Sequence, residues 1–189
     1  MTTHINKAFF KKIAKEYSET DGKKRQCNTQ ADKALHTAKR AIFAMHRGDT
    51  KQAKAELEKS AKILKVVQKF NASARKGPCA AAREEYAEAA LFMMVLEGKQ
   101  INAIKGITLP TETYYGALSD VVGEIVRAAT KAATKKDIAE VARLTTITQD
   151  IMEQLYTQDF TGYLRQKFDQ AKSHNRKLEH IAYELSLRD

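Results

Sequence analysis

The chain contains no tryptophan, only two prolines and only eight glycines in 189 residues. That composition, with 43% hydrophobic and 30% charged residues, excludes a disordered or β-rich chain and points to an all-helical globular one. Cysteine is nearly absent as well. Cys27 and Cys79 stand isolated in the sequence, with no second Cys or His at zinc-ligand spacing, so neither a disulfide framework nor a zinc knuckle is indicated. A reducing, cytoplasmic setting is expected. The longest apolar run, AALFMMVL at 89 to 96, is too short to span a bilayer, and the opening MTTHINKAFFKK lacks the apolar region of a signal peptide, so a soluble, unexported protein with no membrane partner is expected. Glu-x-x-His occurs nowhere, which disfavours a ferritin-like di-iron bundle.

What the chain has in excess is positive charge. Its 33 Lys and Arg against 23 Asp and Glu leave a formal +10, which favours a polyanionic partner; nucleic acid is the commonest, while acidic membranes or simple solubility fit the same charge. Its length is that of one domain with a substantial core, spanning 1–189.

Apolar residues recur at helical spacing along nearly the whole chain. Thr3 is placed to cap a helix carrying Ile5, Phe9, Phe10, Ile13 and Tyr17. Gly22 costs that helix about 1 kcal/mol, so the polar stretch around it is either a break or the solvated middle of one long helix. The pattern resumes through Leu35, Ile42, Phe43 and Met45 and stops at Gly48. Thr50 then caps a second helix through Leu57, Leu64 and Phe70, and Gly77 with Pro78 breaks it. Helices follow at 79 to 97, from Thr111 or Thr113 to about 134, from the Asp137 cap onward, and from Phe160 or Thr161 to the end, with a short turn of helix at INAI near 101 to 104. The expectation is a single-domain bundle of six to seven helices and no strand.

Two of these helices carry paired carboxylates. Glu85 with Glu88, and Asp120 with Glu124, each share a helix face, because residues three or four apart project to one side. Helical acids at such spacing are usually solvated. Asp120 and Glu124, however, sit among Leu118, Val121, Val122, Ile125 and Val126, where an unpartnered charge is costly. If the pairs meet in a bundle core, four like charges stay ionised only with a cation among them, and hard carboxylate oxygens suit magnesium or manganese.

Basic residues group on other faces. Lys39, Arg40, His46 and Arg47 on one helix, Arg127 on the acidic helix, and Lys172, Arg176 and Lys177 on the last helix, with Arg165 and Lys167 upstream of them, are the candidates for phosphate contact without base specificity. The bland alternative is a solvated helix face. His36, His174 and His180 read as structural or exposed, and Phe92, Met93 and Met94 read as core.

Three stretches, AKRAIFAMHR at 38 to 47, LSDVVGEIVRAATKAATKKD at 118 to 137 and NRKLEHIAYELSLR at 175 to 188, together with EEYAEA at 84 to 89, resemble the family of translin and translin-associated factor X over nearly the whole chain. The resemblance implies a seven-helix fold assembling into a hollow octamer that binds single-stranded RNA and single-stranded DNA. The two acidic pairs match the carboxylates of the catalytic, translin-associated-factor-X branch. By that match Glu85, Glu88, Asp120 and Glu124 serve as metal ligands and catalytic residues in Mg2+- or Mn2+-dependent RNA cleavage, one of them acting as base. A non-catalytic, translin-like homo-oligomer that only binds single strands is the alternative. Apolar helix faces beyond what one bundle must bury, with Phe9, Phe10, Tyr114, Tyr115, Tyr156 and Phe160 as anchors, independently point to self-association.

Overall fold

The structure is a computed structural model and describes residues 4–69 and 77–187. All regular structure among these residues is helical: α1 Lys7–His46, α2 Thr50–Val67, α3 Pro78–Leu96, α4 Thr111–Thr134, α5 Ile138–Tyr156 and α6 Gly162–Ser186. Gly22 does not break α1. Nothing lies within 4 Å of where its Cβ would be, so the residue sits on an open stretch where lost propensity is its whole cost. No side chain of α1 before Cys27 is buried, so the first five turns project beyond the bundle with Ile5, Phe9, Phe10, Ile13 and Tyr17 exposed. The expected Thr3 cap and the apolar position Phe70 lie outside the described residues; at the start of α1 it is Asn6 that accepts a hydrogen bond from the Phe9 amide.

Three other boundaries differ from the sequence expectation. Asp49, not Thr50, caps α2 by accepting from the Gln52 amide, because Gly48 at φ +80° turns the chain one residue earlier. Pro110 precedes α4 with no side-chain cap, in place of Thr111 or Thr113. The INAI segment forms no helix; it packs Ile101 and Ile104 against the core as an extended connection instead. The Asp137 cap holds, accepting from the Glu140 amide.

Side-chain pairings give the directions of the helices. Along α1 and α3 the pairs Cys27 with Cys79, Lys39 with Glu85 and His46 with Phe92 advance together, so the two run the same way. On α4 and α6, Lys167 with Asp120 and His174 against Gly123 also advance together. The return helix α2 crosses back along α1, where the Ser60 hydroxyl donates to the Ala34 carbonyl and Arg40 pairs with Glu56. The core between these layers is alanine on α1 (Ala31, Ala34, Ala38, Ala41) and larger on α3 and α4, with Leu91, Phe92, Val121, Val122 and Ile125 fully buried. Small residues on α1 let the backbones approach, and that approach brings the polar side chains of α3 and α4 within reach of α1. Tyr114, Tyr115 and Phe160, expected as subunit anchors, pack onto this core instead; Tyr115 and Phe160 stack edge to face at 5.2 Å. Tyr156 remains exposed.

Candidate functional site

The two acidic pairs do meet. Helix α3 offers Glu85 and Glu88 to the same space into which α4 directs Asp120 and Glu124, and each of the other three carboxylates acts electrostatically on Glu88. Burial together with those like charges pushes the Glu88 carboxyl up to about 9, so it is held neutral at physiological pH. Burial also raises Glu85, against the opposing pull of Lys39, and raises Asp120, against that of Lys167.

Basic side chains hold three of the four. Lys39 lies 3.0 Å from Glu85, the ring of His46 is hydrogen-bonded to Glu124, and Lys167 from α6 bonds Asp120. Glu88 enters no ion pair among the described residues. As arranged, no three His, Cys, Asp or Glu side chains among the described residues are grouped closely enough to hold a metal ion. The donor set is nonetheless of the right chemistry: several hard carboxylate oxygens around one space, those of Glu88 engaged in no ion pair. Coordination would require the carboxylates to turn from their lysine and histidine partners toward a common centre.

A further carboxylate, Glu84, belongs to the same site. Lys167 lies 3.1 Å from it as well as bonding Asp120, and the Tyr163 hydroxyl donates to it. Burial works against the Lys167 ammonium, yet its bonds to Asp120 and Tyr163 and the charge of Glu84 raise its pKa above the ordinary lysine range. Gly116 on α4 makes the room: a Cβ there would stand 2.3 Å from the Glu84 carboxylate. One heptad on, Gly123 does the same for His174, whose ring would lie 3.3 Å from a Cβ. Burial and the nearby Lys177 lower the His174 pKa, while Asp120 and Glu124 pull it upward. Glycine spacing on α4 thus marks where α3 and α6 side chains cross it.

The family model for the translin family matches residues 29–189. The chain belongs to the translin family. Its match begins two residues after Cys27, the first buried position of α1, so the projecting start of that helix precedes the matched residues. Solved structures share the fold: apo-NeC3PO at TM-score 0.84 and 18% identity, covering 97% of this chain and 100% of that one, and AfC3PO in complex with duplex RNA at TM-score 0.85 and 18% identity, covering 95% and 97%. A further crystal structure of AfC3PO matches at TM-score 0.83 and 19% identity over 95% and 97%. No curated protein matches the chain.

In this translin-family chain the basic candidates divide. Lys39, Arg40, Arg47 and Arg127 are exposed, and the Arg127 guanidinium lies 5.9 Å over the ring of Phe43, itself 48% exposed. Lys39, Phe43 and Arg47 recur every four residues, so one stripe of α1 beside α4 combines cations with an open aromatic face. His46 is not part of that stripe. Its side chain is only 3% exposed because it turns inward to Glu124 and against Phe92, which removes it from the phosphate-contacting set and adds it to the acidic site. On α6, Arg176 and Lys177 are exposed, whereas Lys172 is held by Asp169 at 2.6 Å and lies over Phe168. His36 is exposed as expected, and His180, expected to lack a carboxylate partner, pairs with Glu184 one turn on. Sequence reading missed Glu84 and Tyr163 as site residues and grouped Lys167 with the phosphate-contacting cations, whereas it holds Glu84 and Asp120. Gly116 signalled Glu84, as a place where something must approach the backbone closely, and no sequence feature signalled Tyr163.

Proposed function

We propose that this chain binds RNA through its basic helix faces and hydrolyses phosphodiester bonds at the carboxylate site, with a divalent cation as cofactor. The observation that carries the reading is Glu88: a carboxyl shielded from water and in no ion pair among the described residues, ringed by Glu85, Asp120 and Glu124, whose charges together with burial outweigh the pull of Lys167. Buried like charges in that number are a costly arrangement for structure alone, and their cost falls when a cation is shared among them. Bound magnesium or manganese would supply charge neutralisation and an activated water. Glu85, Glu88, Asp120 and Glu124 are the ligands, direct or through water. Lys39 and Lys167, which hold Glu85 and Asp120 here, would be free to neutralise phosphate oxygens if those carboxylates turned to a shared cation. Glu88, pushed up to about 9, is the carboxyl that would give up a proton if it took part in holding the cation.

The family and the solved complex of AfC3PO with duplex RNA support RNA as the ligand class. The acidic quartet supports the catalytic, translin-associated-factor-X-like branch and an endoribonuclease. Single strands are the proposed substrate, since a closed octamer would admit flexible strands to inward-facing sites more readily than duplex. The localisation in keeping with this is cytoplasmic. Among the described residues no helix is long and apolar enough to cross a membrane.

The test is cleavage of labelled single-stranded RNA with magnesium or manganese, with and without EDTA, on wild type and on Asp120→Asn. Cleavage that stops with EDTA and in the variant, with RNA binding retained, is expected. Cleavage undiminished by EDTA overturns the metal mechanism. Binding without any cleavage under all metals favours the alternative, a non-catalytic nucleic-acid-binding oligomer.

A further inference from the structure

Cys27 and Cys79 are far apart in sequence but not in space. Their sulfur atoms are 2.6 Å apart, both side chains are fully buried, and both thiols are free. Each is carried by a helix: Cys27 opens the buried part of α1, and Cys79 is the second residue of α3. Ala31 and Ala82, each one turn further along, are also fully buried, so the two backbones are held close by small side chains and not by the cysteines alone.

We propose that Cys27 and Cys79 form an intramolecular disulfide when the chain meets a two-electron oxidant such as a peroxide, stapling α1 to the start of α3. The balance is simple. One thiol sulfur attacks the peroxide O–O bond to give a sulfenic acid and one water; the second sulfur then displaces hydroxide from the first, which leaves as a second water. Two thiols lose two protons and two electrons, and the peroxide takes them up. Helix-borne cysteines in contact have little backbone rearrangement to make, which is the requirement that most cysteine pairs fail.

Burial sets the rate. The charged groups facing the pair are Arg83, which favours a thiolate at Cys79, and Asp32, which disfavours it; burial outweighs both and pushes the Cys79 thiol up to about 12. The pair is therefore slow to react compared with an exposed thiol, and it stays reduced until an oxidant reaches it through local opening. The link closes a long loop, so it raises the thermal midpoint by roughly 8 °C.

The experiment uses the full chain, treated with hydrogen peroxide or with a phosphine reductant, then denatured, alkylated and digested with trypsin. Expected is a single linked species joining residues 26–33 to 77–83, lighter than the two free peptides by two hydrogens, and a midpoint rise that reductant reverses. Two alkylated cysteines after oxidation, over-oxidised thiols without a link, or a link between two chains overturn the proposal. A linked chain that melts no higher overturns the staple. Cys79→Ser should lose the midpoint rise, and should it fail to fold, the peptide link in the wild-type chain decides by itself.

Discussion

Replacing Glu88 by glutamine should stabilise the protein, although it removes a residue placed at the heart of the proposed site. Glutamine keeps the shape of the protonated carboxyl and cannot ionise. In the folded state the Glu88 pKa stands at about 9, against 4.5 as its ordinary value. Between those limits the folded chain holds a proton at this position that the unfolded chain has released. Stability therefore falls as pH rises through that window, at up to about 1.4 kcal/mol per pH unit for one proton. Below pH 4.5 both states are protonated and the position contributes no pH dependence. From pH 5 to pH 8 the loss attributable to Glu88 comes to about 2–4 kcal/mol, the lower figure applying where water screens the site. Glu88→Gln removes that loss, so it should match wild type near pH 4.5 and gain about 2–3 kcal/mol by pH 7, or roughly 5–10 °C in thermal midpoint. Urea or thermal melts of both proteins at pH 5, 6, 7 and 8, in the presence of EDTA, measure it. Adding magnesium should stabilise wild type and release close to one proton per site in weakly buffered solution, while the variant does neither. A variant less stable than wild type at every pH would refute the account, as would two parallel stability curves.

Other expectations follow from the same geometry. Lys167→Ala leaves Glu84 and Asp120 without their shared counter-charge in a partly buried site, and should cost about 2–4 kcal/mol in chemical denaturation; no loss would mean that the ion pairs contribute nothing. RNA binding should weaken with salt at a log-log slope near 0.7 for each phosphate contact with a single strand, and Arg127→Ala with Arg176→Ala should reduce that slope by about 1.4; a salt-independent affinity in filter binding would remove the basic faces from the interface. Light scattering should report a homo-oligomer, in our proposal an octamer, and Phe9→Asp with Tyr17→Asp should dissociate it, since those side chains are exposed on the projecting part of α1; an unchanged mass would place the contacts elsewhere.

Helix identity was legible from periodicity because the apolar positions of α3 and α4 repeat without interruption. Gly22 was ambiguous for a physical reason. An exposed glycine costs propensity and nothing more, and a helix with no buried face over five turns gives the sequence no second signal with which to decide. Caps misassigned to threonine show the same limit: Asp49 outranks Thr50 once Gly48 has set where the chain turns. The acidic quartet was visible as two pairs, each from its own helical spacing. That the pairs share one space depends on how α3 packs against α4, which no local pattern encodes. His46 was read with its basic neighbours because Lys39, Arg40 and Arg47 surround it in sequence; its inward turn follows from the helix register, which places it on the same face as Ile42 and Met45. Cys27 and Cys79 read as isolated for the corresponding reason, since their contact exists only once α1 and α3 are aligned.

Charge in the site also explains how this arrangement is held without the proposed cation. Five carboxyls, from Glu84, Glu85, Glu88, Asp120 and Glu124, face two ammonium groups, from Lys39 and Lys167. With all five ionised, and with the Arg127 guanidinium 3.8 Å from Glu124 as a third cation, two negative charges are left uncompensated before any charge on His46 is counted. Protonating Glu88 removes one of them, and the partial exposure of Glu124, at 22%, lets water screen the other. The folded chain thus reaches near-neutrality by holding a proton on its most buried acid. The same deficit is what one divalent cation would fill, so the proton on Glu88 and the proposed metal are competitors for one charge. The lysines set the terms of that competition. Were Lys167 and Lys39 absent, a stronger negative field would favour cations of any kind. With them in place, a cation must offer enough to several oxygens at once to turn the carboxylates away from their ammonium partners, and a small, doubly charged ion does this where sodium or potassium does not.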